Sequence, residues 1–286
     1  MKTVRLAGRD GVSVPTLGLG TWRLGESSRR RAAEVAALRR AFELGYRLID
    51  TAEMYGEGGA EQIVGQALAE AIAAGELRRD DVFIVTKVTP HNASARGVAQ
   101  ACDRSRTRLR IDAVDLYLLH WRGSHPLTET ITGFEALCDA GRIRAWGVSN
   151  FDVDDMQQLW RQPAGTRCAV NQVYYSASQR GIEFDLLPWQ RERSVATISY
   201  CPIDQGTLAA DAGLAQIARR HGVTAAQVAL AWVLRHPDVI AIPKASREDH
   251  QRENLAAASI TLDVDDCTEI DRLFAAPLSK QPLAMT

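Results

Sequence analysis

Apolar runs of strand length recur along the chain, and each ends on a polar or ionisable residue. Val82-Phe83-Ile84-Val85-Thr86 ends at Lys87, Leu116-Tyr117-Leu118-Leu119 at His120, and Ala145-Trp146-Gly147-Val148 at Ser149. Ala169-Val170-Asn171 ends at Gln172, Ala196-Thr197-Ile198-Ser199 at Tyr200, and Val239-Ile240-Ala241-Ile242-Pro243 at Lys244. Leu48 and Ile49, which follow Gly45 and Tyr46, form another buried strand and end at Asp50. Leu17-Gly18-Leu19-Gly20 is the first strand of the set, and its glycines allow close backbone approach. Between the strands lie apolar positions at helical spacing. Val35, Leu38, Ala41 and Phe42 mark a helix over 28–44, and further helices are predicted over 61–73, 95–109, 128–140 and 153–160. Eight alternating β and α units in 286 residues predict a (β/α)8 TIM barrel, with 1–286 as a single domain. A doubly wound open sheet is the competitor, but no GxGxxG follows the first strand and no acidic ribose partner lies at its spacing.

Segments outside this alternation decorate the barrel. Arg9-Asp10-Gly11 between Val4-Arg5-Leu6 and Val12-Ser13-Val14 predicts an N-terminal β-hairpin, expected as a small lid outside the main fold. Two helical patterns, 214–221 and 225–234, mark an insertion between Tyr200 and Lys244. An extra C-terminal helix over 264–273 is expected outside the barrel, and 277–286 as a loop folding over its mouth.

Composition narrows the partners. A formal net charge of -1 gives no broad attraction for nucleic acid or anionic lipid. The basic runs Arg29-Arg30-Arg31 and Arg104, Arg106, Arg108, Arg110 fall in helical stretches and read as solvated faces. Five cysteines (Cys102, Cys138, Cys168, Cys201, Cys267) show neither CxxC nor metal-like spacing, which suits a reducing cytoplasm and predicts no metal site. Residues 1–10 lack the apolar core of a signal peptide, and the longest apolar candidate, 225–234, is broken by Gln227. A cytoplasmic protein with a small-molecule partner is expected, with a monomer as the default because no apolar stripe is seen beyond the barrel helices.

The mouth of such a barrel collects Asp50, Tyr55, Lys87 and His120 from adjacent strands. A phenol with a pKa of about 10 is a poor proton donor at neutral pH, and the Lys87 ammonium is expected to lower that value. Asp50 is needed to hold Lys87 charged and aimed. His120 can donate from its ring to a carbonyl oxygen. Together they make a site that protonates an oxygen while another group attacks the carbon. Singly, Asp50 reads equally as a helix cap, Lys87 as an ion-pair partner and His120 as a buried imidazole.

The ordered motifs Gly18-Leu19-Gly20-Thr21-Trp22, Leu48-Ile49-Asp50-Thr51-Ala52-Glu53-Met54-Tyr55, Thr86-Lys87, Leu118-Leu119-His120-Trp121, Gly147-Val148-Ser149-Asn150-Phe151, Asn171-Gln172-Val173, Tyr200-Cys201-Pro202 and Ile242-Pro243-Lys244-Ala245-Ser246 resemble the aldo-keto reductase superfamily. Leu118-Leu119-His120-Trp121 with Gly123-Ser124, and Arg180-Gly181-Ile182-Glu183-Phe184-Asp185-Leu186-Leu187-Pro188-Trp189, look most like a bacterial branch that includes methylglyoxal reductases. The resemblance implies NADPH-dependent reduction of aldehydes or ketones, small or aromatic and methylglyoxal among them, without a Rossmann fold. It implies that Tyr55 is the general acid, that Lys87 and Asp50 tune it, and that His120 orients the carbonyl. By the same resemblance Thr21 and Trp22 fall in the cofactor region, Ser149, Asn150 and Gln172 hold the nicotinamide carboxamide, and Tyr200 stacks on its ring. Lys244, Ser246, Arg247 and His250 surround the adenosine 2′-phosphate, with Glu253 and Asn254 near the adenine.

The phosphate loop departs from the pattern. Where many relatives carry serine directly after the lysine and arginine six residues after it, this chain has Ala245 and His250, with Ser246, Arg247 and Arg252 as candidates to compensate. NADPH is favoured and NADH stays admissible. Trp22, Met54 and Trp121 are expected to line the substrate pocket with Tyr55 and His120, and His91 and Asn92 to form its rim; Trp189 is a further candidate from a later loop, where an aromatic is more often packing than pocket. Two rivals accompany this expectation: a Schiff-base aldolase acting through Lys87, and a nicotinamide-nucleotide-binding redox sensor without turnover.

Overall fold

Strands Phe83–Val88 and Val114–Leu119 are buried at every position, as strands covered on both faces must be. The computed structural model describes residues 2–7 and 11–286. Its strands are β1 (Thr3–Arg5), β2 (Ser13–Pro15), β3 (Leu19–Gly20), β4 (Leu48–Asp50), β5 (Phe83–Val88), β6 (Val114–Leu119), β7 (Ile143–Ser149), β8 (Val170–Tyr174), β9 (Ala196–Tyr200) and β10 (Val239–Ala241). The helices are α1 (Arg31–Leu44), α2 (Gly59–Ala73), α3 (Ala95–Leu109), α4 (Leu127–Asp139), α5 (Val153–Trp160), α6 (Leu186–Glu192), α7 (Ala212–His221), α8 (Ala225–Val233), α9 (Glu248–Ala257) and α10 (Val264–Leu273).

β3 to β10 form one parallel sheet in chain order. Parallel bridges Leu17↔Ala241 and Gly20↔Lys244 join the first strand to the last, so the sheet closes as a (β/α)8 barrel. The seam needs glycine, because a Cβ on Gly20 would lie 2.8 Å from the Ile242 carbonyl oxygen. Leu48, Val85, Leu116, Leu118, Val170, Ile198 and Ile240 share one apolar cluster inside the barrel. Phe42, Tyr117, Phe134, Trp146 and Trp232 belong to a second, between strands and helices.

The hairpin behaves differently from the expected outlying lid. β1 and β2 pair antiparallel, and Val4, Leu6 and Val14 join the interior cluster with strand-start residues Leu48, Phe83 and Ala196. They therefore seal the amino-terminal end of the barrel, opposite the strand ends that carry Asp50 and Lys87. Alternation explains this, since Val4 and Val14 are buried while Thr3, Arg5 and Ser13 are exposed. The predicted turn at Arg9-Asp10 falls on 8–10, outside the described residues.

Helices α3, α5 and α10 match their expected bounds, and each starts on a side-chain cap: Ser94, Asp152 and Asp263. α6 and α9 were not anticipated. α6 is only seven residues long and contains Pro188, and α9 buries just Gln251, Asn254 and Ala257, so neither presents an apolar stripe. β8 runs past its expected end because Gln172, although polar, is buried inside the barrel. Among the described residues, no helix is long and apolar enough to cross a membrane. The irregular tail is tied down by Lys280 on Asp154 at 2.6 Å, and Met285 and Thr286 reach the barrel mouth.

Candidate active site

β4 ends at Asp50, whose carboxylate is held from two sides. Lys87 Nζ donates to Oδ1 at 2.7 Å, and Gln172 Nε2, from the far side of the barrel, donates to Oδ2 at 2.7 Å. Lys87 is fully buried and donates also to the Thr51 carbonyl oxygen at 2.8 Å and to Tyr55 Oη at 3.4 Å. His120 follows β6 and its ring meets that of Tyr55 edge-on at 5.7 Å. Asp50, Tyr55, Lys87 and His120 thus stand together, from three neighbouring strand ends.

Burial sets their charge states. The Tyr55 hydroxyl is pushed well above its usual pKa, first by desolvation and then by the nearby Asp50 carboxylate. This corrects the expectation that Lys87 lowers it: in the resting site burial and Asp50 outweigh the ammonium. Desolvation pulls Lys87 down, against the opposing pull of Asp50. His120 is held well below its ordinary value by burial and by Lys87, so its ring is neutral at physiological pH. Its Nδ1 is buried without a partner among the described residues, and is best left as a bare lone pair, which puts the ring proton on Nε2.

A cavity of about 680 Å³ opens over these groups, within the usual range for a ligand site. Its lining includes Trp22, Met54, Tyr55, His120 and Trp121, then Ser149, Asn150, Gln172 and Tyr200 from β7 to β9, and Lys244, His250, Glu253 and Asn254 from the segment after β10 and from α9. The residues from β7 to β9 form a hydrogen-bonded set. Ser149 Oγ donates to the Gln172 carbonyl oxygen at 2.9 Å, and Asn150 Nδ2 donates to the His120 carbonyl oxygen at 3.0 Å and to Ser149 Oγ at 3.2 Å. Asn150 Oδ1 accepts from Tyr200 Oη at 2.8 Å, so both ends of that amide are engaged within the protein. Gln172 commits Nε2 to Asp50 and keeps Oε1 as a further acceptor.

Lys244 Nζ contacts Ser246 Oγ at 3.3 Å and has no carboxylate partner among the described residues. Not every expected residue reaches the cavity. Thr21 lies beneath it, with Oγ1 donating to the Asp50 carbonyl oxygen at 2.9 Å. Ser246 and Arg247 stand outside its lining, Arg247 is paired with Asp249 at 3.4 Å, and Arg252 is paired with Glu248. His91 and Asn92, expected at the rim, are instead gathered round Thr89 and Glu53. Trp189 lies in α6 against Trp160 at 5.4 Å, the packing alternative for that aromatic.

Several lining residues carried no expectation. Arg23, with a positive φ of 65°, places its guanidinium 4.4 Å from the Trp22 ring at the cavity edge. Cys201, Pro202, Ile203, Gln205 and Gly206 form a wall from the loop after β9, where Cys201, Asp204, Gln205 and Gly206 all have positive φ. The available signal was loop length, since a long connection between β9 and α7 is more often functional than idle.

Residues 16–275 match the sequence pattern of the Aldo/keto reductase family. Methylglyoxal reductase YeaE of Escherichia coli is 46% identical over 279 residues, covering 96% of each chain. Glyoxal reductase of Bacillus subtilis is 33% identical over 271 residues, covering 95% of this chain and 92% of that protein. The crystal structure of an aldo-keto reductase from Klebsiella pneumoniae in complex with NADPH matches with a TM-score of 0.93 at 46% identity, over 100% of this chain and 99% of that one.

Proposed function

The chain belongs to the aldo/keto reductase family, and from that premise we propose how its residues divide the work of reducing a carbonyl with NADPH. The protein is an oxidoreductase that converts aldehydes or ketones to alcohols. The observation that carries the assignment of roles is that one cavity is lined both by Asp50, Tyr55 and His120, with Lys87 beneath them on Asp50, and by Lys244, which has no carboxylate partner among the described residues.

The residues fit a dinucleotide of this kind. Lys244 and His250, which line the same cavity, suit a phosphate, Gln172 Oε1 suits a carboxamide N–H, and Tyr200 offers a ring face. Ser149 and Asn150 shape the same slot, with Asn150 released from Tyr200 if its Oδ1 is to take a ligand N–H. Glu253 and Asn254 complete the adenosine end. When bound, NADPH supplies hydride to the carbonyl carbon.

Tyr55 supplies the proton to the carbonyl oxygen. Its raised pKa keeps the phenol protonated across the neutral range, so the proton is always present, and it moves only when the oxygen gains negative charge. Lys87, 3.4 Å from Oη, then stabilises the phenolate left behind. Asp50, fixed by Lys87 and Gln172, keeps Lys87 aimed. Neutral His120 donates from Nε2 to the carbonyl oxygen and holds it beside the phenol. The apolar wall of Trp22, Met54 and Trp121 favours a small 2-oxoaldehyde such as methylglyoxal, or a flat aromatic aldehyde, and the Escherichia coli relative supports the first. The five free cysteines suit a cytoplasmic setting, and a monomer is the default reading.

The test follows oxidation of NADPH and of NADH at the nicotinamide absorbance against methylglyoxal, an aromatic aldehyde and an aldose. Turnover with NADPH that disappears in Tyr55→Phe is expected, with nucleotide affinity by fluorescence unchanged. Turnover that survives in Tyr55→Phe, or failure to bind either nucleotide, would overturn the assignment.

A further inference from the structure

On the footing that Tyr55 is the proton donor, we infer that Glu53 is a positioning residue for the proton transfer, locking the segment that carries Tyr55 to the segment that follows Lys87. The chain leaving β4 is held by Thr51 N on the Val85 carbonyl oxygen at 2.8 Å and Glu53 N on the Lys87 carbonyl oxygen at 3.3 Å. Beyond Tyr55 it is not held by a regular helical turn, because Gly56, Glu57 and Gly58 all have positive φ, at 56°, 55° and 89°. The placement of the phenol therefore depends on what anchors residues 51–54.

Glu53 supplies most of that anchor. Its Oε1 accepts from Thr89 N at 2.9 Å, Thr89 Oγ1 at 2.8 Å and Asn92 Nδ2 at 3.0 Å. Thr89 and Asn92 lie in the turn directly after β5, the strand that bears Lys87. The Glu53 side chain is only 8% exposed, and Arg104, 3.7 Å from Oε2, is itself half exposed, so the carboxylate is satisfied chiefly by these neutral donors. A carboxylate bridging two strand ends in this way fixes the approach of one to the other. The two groups so fixed are Tyr55 Oη and Lys87 Nζ, 3.4 Å apart. Glu53 does not line the cavity, so it acts through them and touches neither substrate nor nucleotide. A displacement of about 1 Å at a reacting group costs up to about 100-fold in rate.

Three variants test this: Glu53→Ala, Glu53→Gln and Thr89→Val, each normalised to active sites counted by NADPH fluorescence titration. Glu53→Ala is expected to lower kcat by about 10- to 100-fold, with carbonyl KM and NADPH Kd close to the parent. Its solvent isotope effect on kcat should rise, because proton transfer becomes the slow step. Glu53→Gln keeps an acceptor for Thr89 and should recover most of the rate, and Thr89→Val, which keeps the backbone N–H and loses Oγ1, should fall between. A parent-like kcat and isotope effect in folded Glu53→Ala would overturn the inference, as would the same result in Thr89→Val should Glu53→Ala not fold. A change confined to KM or Kd would overturn it too. Tyr55→Phe is run alongside: if that variant stays active, the proton-donor assignment fails and the inference with it, whereas an inactive Tyr55→Phe beside a fully active Glu53→Ala removes the inference alone.

Discussion

Lys87→Met keeps most of the side-chain volume and removes its charge. Nζ lies 3.4 Å from Tyr55 Oη and 2.7 Å from Asp50 Oδ1. Tyr55 is protonated at rest, so the attraction that matters is one that grows as the phenol becomes phenolate, and only such an interaction raises kcat. For unit charges 3.4 Å apart, an effective dielectric of about 20 gives roughly 5 kcal/mol. With about half of the charge developed in the transition state, roughly 2.5 kcal/mol remains, or somewhat under 100-fold in rate. Lys87 is buried and does not line the cavity, so NADPH Kd and carbonyl KM should stay within about threefold of the parent. The break of a buried pair should also cost about 3–5 kcal/mol of stability, a fall in Tm on the order of 10 °C for a chain of this size. Steady-state rates at saturating NADPH, normalised to titrated sites, read the first effect, and thermal melts by circular dichroism read the second. A kcat within about fivefold of the parent, in protein that has lost the expected stability, would show that the Lys87 charge does not act on the proton transfer.

Other outcomes follow from the same geometry. With His120 held well below 6.5 and Tyr55 pushed well above 10, kcat at saturating NADPH should be flat from about pH 6.5 through neutrality, and the basic limb should be that of Lys87, pulled below its ordinary value by desolvation; a basic limb that survives unchanged in Lys87→Met would contradict the assigned charge states. Tyr200→Phe keeps the ring 5.4 Å from that of Tyr174 and frees Asn150 Oδ1, so NADPH should bind tighter by about 2- to 10-fold, the worth of one net hydrogen bond. An unchanged or weaker Kd by fluorescence titration would mean that the carboxamide does not use that atom. His236 is pulled down to about 4 by burial and by Arg235 and Arg191. A histidine depressed in the fold contributes stability that is present above about pH 6.5 and lost as pH falls through about 4, so Tm should decline on acidification less steeply in His236→Gln. Equal slopes for the two proteins would remove that contribution.

The barrel was legible because its strands are buried on both faces and stop at polar residues. Lys87, His120 and Ser149 each follow an apolar run, and such a run can place its last side chain at the mouth without any knowledge of the other strands. Asp50 and Tyr55 were legible for the same reason, one at a strand end and one in the loop beyond. What escaped depends on partners distant in sequence or on backbone shape. Nothing local to Gln172 says that its amide crosses the barrel to Asp50, and nothing local to Glu53 says that its acceptors' donors come from the turn after β5. The wall from Cys201 to Gly206 escaped because its path follows left-handed turns at Cys201 and at Asp204, Gln205 and Gly206 rather than a periodic pattern. α9 escaped because a helix that buries only Gln251, Asn254 and Ala257 has no apolar period to read.

The corrected charge state of Tyr55 follows from the same distinction. Proximity of Lys87 could be anticipated from two strand ends, and proximity alone argues for a lowered phenol pKa. Burial could not be anticipated, because it is the sum of everything that covers the site, and Asp50 stands close enough to oppose the ammonium. The two effects act on different moments of the reaction. Desolvation and Asp50 keep the proton on Tyr55 while it waits; Lys87, paired with Asp50 and donating to Oη, stabilises the anion once the proton has left. A donor held that way needs no tuning toward neutral pH, because the acceptor becomes basic enough only when its carbon is attacked. That couples the proton transfer to reduction of the carbonyl, and makes the alignment of Tyr55 with Lys87, more than the resting pKa of either, the property that the surrounding residues have to protect.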